Sequence, residues 1–63
     1  MSIYAVRDRH LTVASADDEA AAIATLRALV ATAPGREDDI VVVELDASGA
    51  PLGPARDVFD LAS

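Results

Sequence analysis

The chain has 63 residues, no cysteine, one histidine and a formal net charge of −6. A domain this small buries only about 60% of its unfolded surface, so it usually needs disulfides, a metal or oligomerisation for stability. The composition excludes disulfides and thiolate zinc sites, the acidic balance disfavours nucleic acid and anionic membranes, and no apolar run approaches the ~20 residues that span a bilayer. The start, MSIYAVRDRH, lacks the plan of a signal peptide. We expect one cytoplasmic domain over residues 1–63.

The N-terminal segment predicts one strand and then an interruption. Residues 2–6, SIYAV, are rich in strand formers, RDRH interrupts them, and LTVA resumes a strand-like pattern. A single strand through residues 3–13 would place Arg7 and Arg9 in the middle of a core face. We therefore expect a break or reversal near Asp8, although no Gly, Asn or Pro marks a tight turn there.

Residues 16–33 predict a helix. Ser15 is the expected N-cap, and three acidic residues follow it in the first turn, where the helix dipole favours negative charge. Pro34 and Gly35 end the segment. Apolar residues recur at three- and four-residue spacing and form one stripe, consisting of Ala22, Ile23, Leu26, Leu29, Val30 and Ala33.

The C-terminal part predicts a strand, a turn and an edge segment. Residues 40–45, IVVVEL, have strand composition, and DASG fits a type I turn from Asp46 to Gly49. This register places Leu45 opposite Ala50 and Ala55 near Ile40. Two prolines restrict the returning segment to the edge of the sheet.

The last residues, RDVFDLAS, extend beyond their hairpin partner. They pair elsewhere, form a short helix or reach out as an arm.

Together these elements predict an α+β fold, in β(β)αββ order, with one helix packed on a three- or four-stranded sheet. The odd-numbered side chains of residues 41–45 form an all-apolar face, which we expect to meet the helix. Ile40 and Val42 then share the opposite face with Glu44 and remain uncovered. Because strands with continuous apolar runs are usually buried on both faces, either the tail or another subunit should cover them.

The function that this composition favours is a small, acidic, non-enzymatic protein-interaction module. Its partner is a second copy or a larger protein, and we predict no catalytic residue, cofactor or metal ligand. Two acidic clusters, residues 17–19 and 37–39, lack the spacing of a calcium loop. Tyr4 and the arginines should occupy the rim of the interface. The predicted contact residues are Ile40, Val42, Val58, Phe59 and Leu61.

Arg7, Arg9 and His10 form a local basic patch. The planar guanidinium suits a carboxylate or phosphate, so this patch is a candidate anion site. Alternatively, the arginines pair with acidic loops of the same chain or of a neighbour. An alternative function follows from the net charge, because an acidic inhibitor or immunity-type protein could occupy a basic site on a nuclease or DNA-binding protein.

The order of an N-terminal strand, a long helix, a second strand and a hairpin, in a chain of about this size, resembles the 4-oxalocrotonate tautomerase family. In that family an N-terminal proline acts as the base, arginines bind an acidic substrate, and the chains assemble as oligomers. Ser2 stands at the matching position here, a departure at the residue that defines the family. The resemblance implies, as a third hypothesis, a small enzyme that uses the α-amino group of Ser2, since such groups titrate near 7.7–8.0.

Overall fold

The computed structural model describes residues 2–62. Within them it shows three strands and two helices: β1 (Ile3–Asp8), β2 (Leu11–Ala16), α1 (Glu19–Thr32), β3 (Ile40–Leu45) and α2 (Val58–Ala62). The sheet has the order β2-β1-β3, and β1 is antiparallel to both neighbours. α1 packs on one face of this sheet, so the predicted α+β fold is confirmed. Neither helix of residues 2–62 is long and apolar enough to cross a bilayer.

The predicted reversal near Asp8 is a two-residue hairpin. Asp8 and Leu11 are paired, and Arg9 and His10 form the turn with φ values of 56° and 88°. Positive φ at both central residues is the geometry of a type I′ turn, whose twist matches that of the flanking strands. Asn and Gly usually occupy these positions, which is why the sequence carries no obvious turn signal here.

The helix begins later than predicted. Ser15 is not the N-cap, because it belongs to β2 and is paired with Ala5. The strand continues to Ala16, and the cap passes to Asp18, whose side chain accepts a hydrogen bond from the backbone N–H of Ala20 at 3.0 Å. Pairing with β1 thus takes precedence over the capping preference of Ser15.

The two faces of β3 are the reverse of those predicted. Ile40 and Val42 are 2% and 0% exposed and form the core together with Val6, Ala22 and Leu26 of β1 and α1. The register explains the reversal, because Val42 lies opposite Val6. Ile40 and Val42 are thus covered by their own helix.

The turn after β3 is confirmed, but the register of the returning segment is not. The N–H of Gly49 donates to the carbonyl of Asp46 at 3.0 Å, as in a type I turn. Leu45 is then bridged to Pro51 instead of Ala50, and Val42 to Arg56. Four residues, 52–55, lie between these two bridges against two residues of β3, and the N–H of Leu52 donates to the carbonyl of Glu44 at 2.8 Å. The two extra residues shift the register, so Ala55 is not bridged to Ile40.

Candidate interaction surface

Within residues 2–62, α1 is the helix that packs on the sheet, and no helix packs on the opposite face. We call this opposite face the open face. Cross-strand partners share a face in an antiparallel sheet, so the register assigns its members directly. They are Ile3, Ala5 and Arg7 of β1, Thr12 and Ser15 of β2, and Val41, Val43 and Leu45 of β3.

The open face is apolar along two adjacent strands. Ala5 and Val43 are buried between their neighbours, Val41 and Leu45 are half-buried, and Ile3 is 44% exposed. None of the eight side chains is a carboxylate. A flat, largely apolar surface of this kind fits the apolar face of another polypeptide better than it fits a small polar ligand.

A cleft of about 530 Å³ lies at the hairpin end of the open face. Arg7 and Val41 belong to both, so the cleft is continuous with the open face. The structure thus brings together the three residues of the predicted basic patch, but it also places two carboxylates beside them. The lining residues are Arg7, Arg9, His10, Asp38, Asp39, Val41 and Ala55.

Most charges around the cleft are paired within the chain. The Nε of Arg9 lies 3.4 Å from Oδ2 of Asp39, and the N–H of Arg9 donates to the carbonyl of Asp39 at 3.1 Å. Arg36 forms ion pairs with Asp8 and, at 3.5 Å, with Asp39. For Arg9, pairing with an acidic loop of the same chain is therefore what the structure shows.

Arg7 and Asp38 are the exceptions. Within residues 2–62 neither of them makes an ion pair, and the Nε of Arg7 is buried without a hydrogen-bond partner. A buried donor without an acceptor costs about 1–3 kcal/mol. The cleft therefore contains one cation and one carboxylate that could each take an external partner.

The hairpin turn at the rim of this cleft is strained. His10 has φ of 88°, where a residue with a Cβ is disfavoured by roughly 1–3 kcal/mol. We expect His10→Gly to raise the free energy of unfolding by about 1 kcal/mol, after the entropic cost of glycine. His10→Ala keeps the strain and should change stability by less than about 0.5 kcal/mol. Urea unfolding monitored by circular dichroism compares the two, and equal effects would contradict the assignment of strain.

The opposite end of the sheet is acidic. Tyr4 lies there, with Glu44 of β3 paired to it. Desolvation raises the pKa of the Tyr4 hydroxyl above 10.0, and the charges of Glu44 and Glu19 raise it further. Arg56 lies 3.7 Å from Glu19 and offsets part of this negative charge.

Tyr4 is the only tyrosine in the chain, so absorbance at 295 nm reports its titration directly. We expect a midpoint above 10.0 that shifts down in Glu44→Gln without returning to 10.0, since desolvation is the larger cause. The folded state favours the protonated phenol. The contribution of the protonated Tyr4 phenol to the free energy of unfolding is therefore fully present below pH 10.0. It is lost as the pH rises through the pKa of the folded state. A midpoint at or below 10.0 would contradict the desolvation of Tyr4.

The C-terminal tail forms the short helix α2. Leu61 packs against the core on the α1 side, Val58 is half-buried, and Phe59 is 61% exposed. Leu61 therefore lies apart from the open face. The predicted role of the three residues in contacting a partner stays a prediction, which Phe59 is best placed to fulfil.

Of the groups implied by the tautomerase resemblance, Ser2 and Arg7 are not brought together. Ser2 and Arg7 lie at opposite ends of β1, roughly 16 Å apart at about 3.3 Å per residue. The element order also differs, since β2 intervenes between the N-terminal strand and the helix. Among residues 2–62 no group of three or more His, Asp or Glu side chains gathers as metal ligands would.

Sequence reasoning missed Ile3, Asp38, Val41 and Leu45 as members of this surface. A signal for Ile3 was present in Arg7. A charged side chain in a strand is not buried under a helix, so Ile3, which shares a strand face with Arg7, must face away from α1. Val41 and Leu45 join that face through their register with Arg7 and Ile3, which the sequence pattern does not give. Asp38 gave no such signal, because its place in the cleft depends on how the loop after α1 folds.

Comparison with protein-family models, with curated proteins and with solved structures finds no match for this chain.

Proposed function

We propose that the chain is a non-enzymatic protein-interaction module of the cytoplasm, and that it covers its open face with a second copy of itself. The observation that carries the proposal is the composition of that face. It is an apolar surface without a carboxylate, on a chain with eleven acidic residues and a net charge of −6.

The charge distribution supports self-association through this face. Two copies with a charge of −6 each repel one another, and the repulsion is strongest where carboxylates meet. On α1, Arg27 and Glu19 are exposed, and the N-terminus of the helix follows Asp17 and Asp18. The open face carries a single charge, that of Arg7. Contact there therefore removes apolar surface from water with the least approach of like charges.

The size of the face sets the expected affinity. Three strands of six residues cover roughly 14 Å by 20 Å, with strands about 4.8 Å apart and about 3.3 Å per residue. Two such faces bury only about 560 Å² in total, below the roughly 1,200–2,000 Å² of stable specific interfaces, so the dimer is weak and transient. We expect a dimer that dissociates in the micromolar range.

Ile3→Glu tests the proposal, because it adds a carboxylate to an exposed position of the open face. The matched control is Leu11→Glu, since Leu11 is 69% exposed and its register partner Asp8 lies on the α1 face. We expect Ile3→Glu to weaken the dimer at least tenfold and Leu11→Glu to leave it unchanged. Analytical ultracentrifugation from 1 µM to 1 mM measures both, and equal effects of the two variants would overturn the proposed surface.

A second candidate is an acidic inhibitor of a basic protein. It is favoured by the acidic end of the sheet, where Asp18, Glu19 and Glu44 surround Tyr4. Binding of this kind depends strongly on salt. A basic partner whose affinity falls at least tenfold between 50 and 500 mM NaCl, and also in Glu44→Gln, would support it. Unchanged affinity across that range would exclude it.

A further inference from the structure

The charges left unpaired in the cleft are complementary to each other. After the ion pair between Arg9 and Asp39 is counted, Arg7 remains as a cation and Asp38 as a carboxylate. Asp38 is exposed, and Arg7 is half-buried on the open face. An interface between identical chains needs such a patch, because each contact from one residue to another occurs twice across a two-fold axis.

We propose that two copies pack open face against open face, with Arg7 of each copy paired to Asp38 of the other. The inference rests on the proposed self-association and adds its orientation. Each copy contributes the cation to one ion pair and the carboxylate to the second. The guanidinium of Arg7, whose buried Nε has no hydrogen-bond partner within residues 2–62, then gains a carboxylate partner.

The pairing selects one of two symmetric arrangements. When two sheets pack face to face with their strands aligned, the two-fold axis lies in the plane between them, either along the strands or across them. An axis across the strands places the cleft of one copy over the Ile3 end of the other, where the open face has no carboxylate. An axis along the strands, between β1 and β3, keeps the two clefts together.

The same axis places apolar residues against each other along the whole interface. Ile3 and Leu45 are register partners on neighbouring strands, so Ile3 of one copy lies over Leu45 of the second copy. Ala5 and Val43 are related in the same way. One orientation therefore satisfies both the charges at the cleft and the apolar rows beyond it, within the roughly 30° twist usual for packed sheets.

A charge exchange between two variants tests this orientation. Arg7→Glu alone places two carboxylates at each contact, and Asp38→Arg alone places two guanidinium groups there. We expect each variant to dimerise at least tenfold more weakly than the unchanged chain. An equimolar mixture has attractive pairs at both contacts, so it should form a heterodimer with near-original affinity. Sedimentation velocity and native mass spectrometry measure the masses.

The matched controls are Arg27→Glu and Asp17→Arg, which make the same charge changes on exposed residues outside the open face. Neither should weaken the dimer, and circular dichroism checks that every variant is folded. Because Asp38 is exposed in a loop, Asp38→Arg tests the pairing even if Arg7→Glu fails to fold. In that case Arg7→Gln replaces it and should weaken the dimer without repulsion.

The outcomes distinguish an error in the orientation from an error in the proposed self-association. If the unchanged chain is a monomer at 1 mM, both the self-association and this orientation are wrong. If it is a dimer that keeps its mass in Asp38→Arg, only the pairing is overturned. A mixture of the two variants that remains monomeric also overturns the pairing.

Discussion

Val42→Asp is expected to prevent folding, whereas Val41→Asp, one residue earlier in the same strand, is expected to leave a folded monomer. Val42 is 0% exposed in the core beneath α1, and Val41 is half-buried on the open face. An unpaired carboxylate in that core costs several kcal/mol, in addition to about 1.5–3 kcal/mol of lost valine burial. A chain of this length has a total stability of only about 3–9 kcal/mol, at roughly 0.05–0.15 kcal/mol per residue.

Far-ultraviolet circular dichroism with thermal melting compares the two variants at 5 µM. The adjacent valines form a matched pair, because strand propensity, charge change and volume change are the same for both. Equal destabilisation of the two variants, or loss of folding in Val41→Asp alone, would contradict the assignment of faces. The comparison therefore tests the feature of β3 that the sequence pattern assigns incorrectly.

Leu26→Ala is expected to lower the free energy of unfolding by about 3 kcal/mol. Leu26 is the fully buried leucine of α1 and contacts both β1 and β3 through the core. Truncation removes its transfer free energy and leaves a cavity, for which leucine-to-alanine changes cost about 2–5 kcal/mol. Because the described residues form one small core on one side of the sheet, no second layer offsets the lost packing.

Urea unfolding at a concentration below that of dimer formation measures this loss. Leu52→Ala is the control, since Leu52 is 54% exposed and its truncation should cost less than about 0.5 kcal/mol. A loss under 1 kcal/mol in the free energy of unfolding of Leu26→Ala would show that the packing of α1 does not stabilise the sheet.

Short-range sequence patterns predicted those parts of the fold that depend on interactions between residues close together in the chain. β3 has its predicted bounds because six consecutive residues are strand formers. The turn from Asp46 to Gly49 follows from its first residue, whose side chain accepts hydrogen bonds from the residues after it. The Oδ1 of Asp46 accepts hydrogen bonds from the N–H and hydroxyl of Ser48 and from the N–H of Ala50.

Features that depend on pairing between distant segments were not predictable from local pattern. The helix start moved from Ser15 to Asp18 because β2 pairs with β1 as far as Ala16. The hairpin uses Arg9 and His10 at positive φ, where the flanking strands impose a conformation that neither residue favours. Tertiary pairing overrides local preference in both places.

The faces of β3 were assigned incorrectly because Glu44 was taken to exclude its face from the core. Glu44 lies near the end of the strand, where its carboxylate lines a surface cleft with Glu19 and Arg56. The position of Glu44 in β3 therefore says little about which face is buried. Arg7 is likewise the fifth of six residues in its strand, but β1 is the central strand with a neighbour on each side, so Arg7 was the better indicator.

The most direct test of the central claim is the mass of the unchanged chain in solution, measured by light scattering behind a sizing column from 1 µM to 1 mM. If a second copy covers the open face, the mass should rise from 6.5 kDa towards twice that value over the micromolar range, and in Ile3→Glu the same rise should need at least tenfold higher concentrations. A mass of 6.5 kDa for the unchanged chain at 1 mM would contradict self-association through the open face.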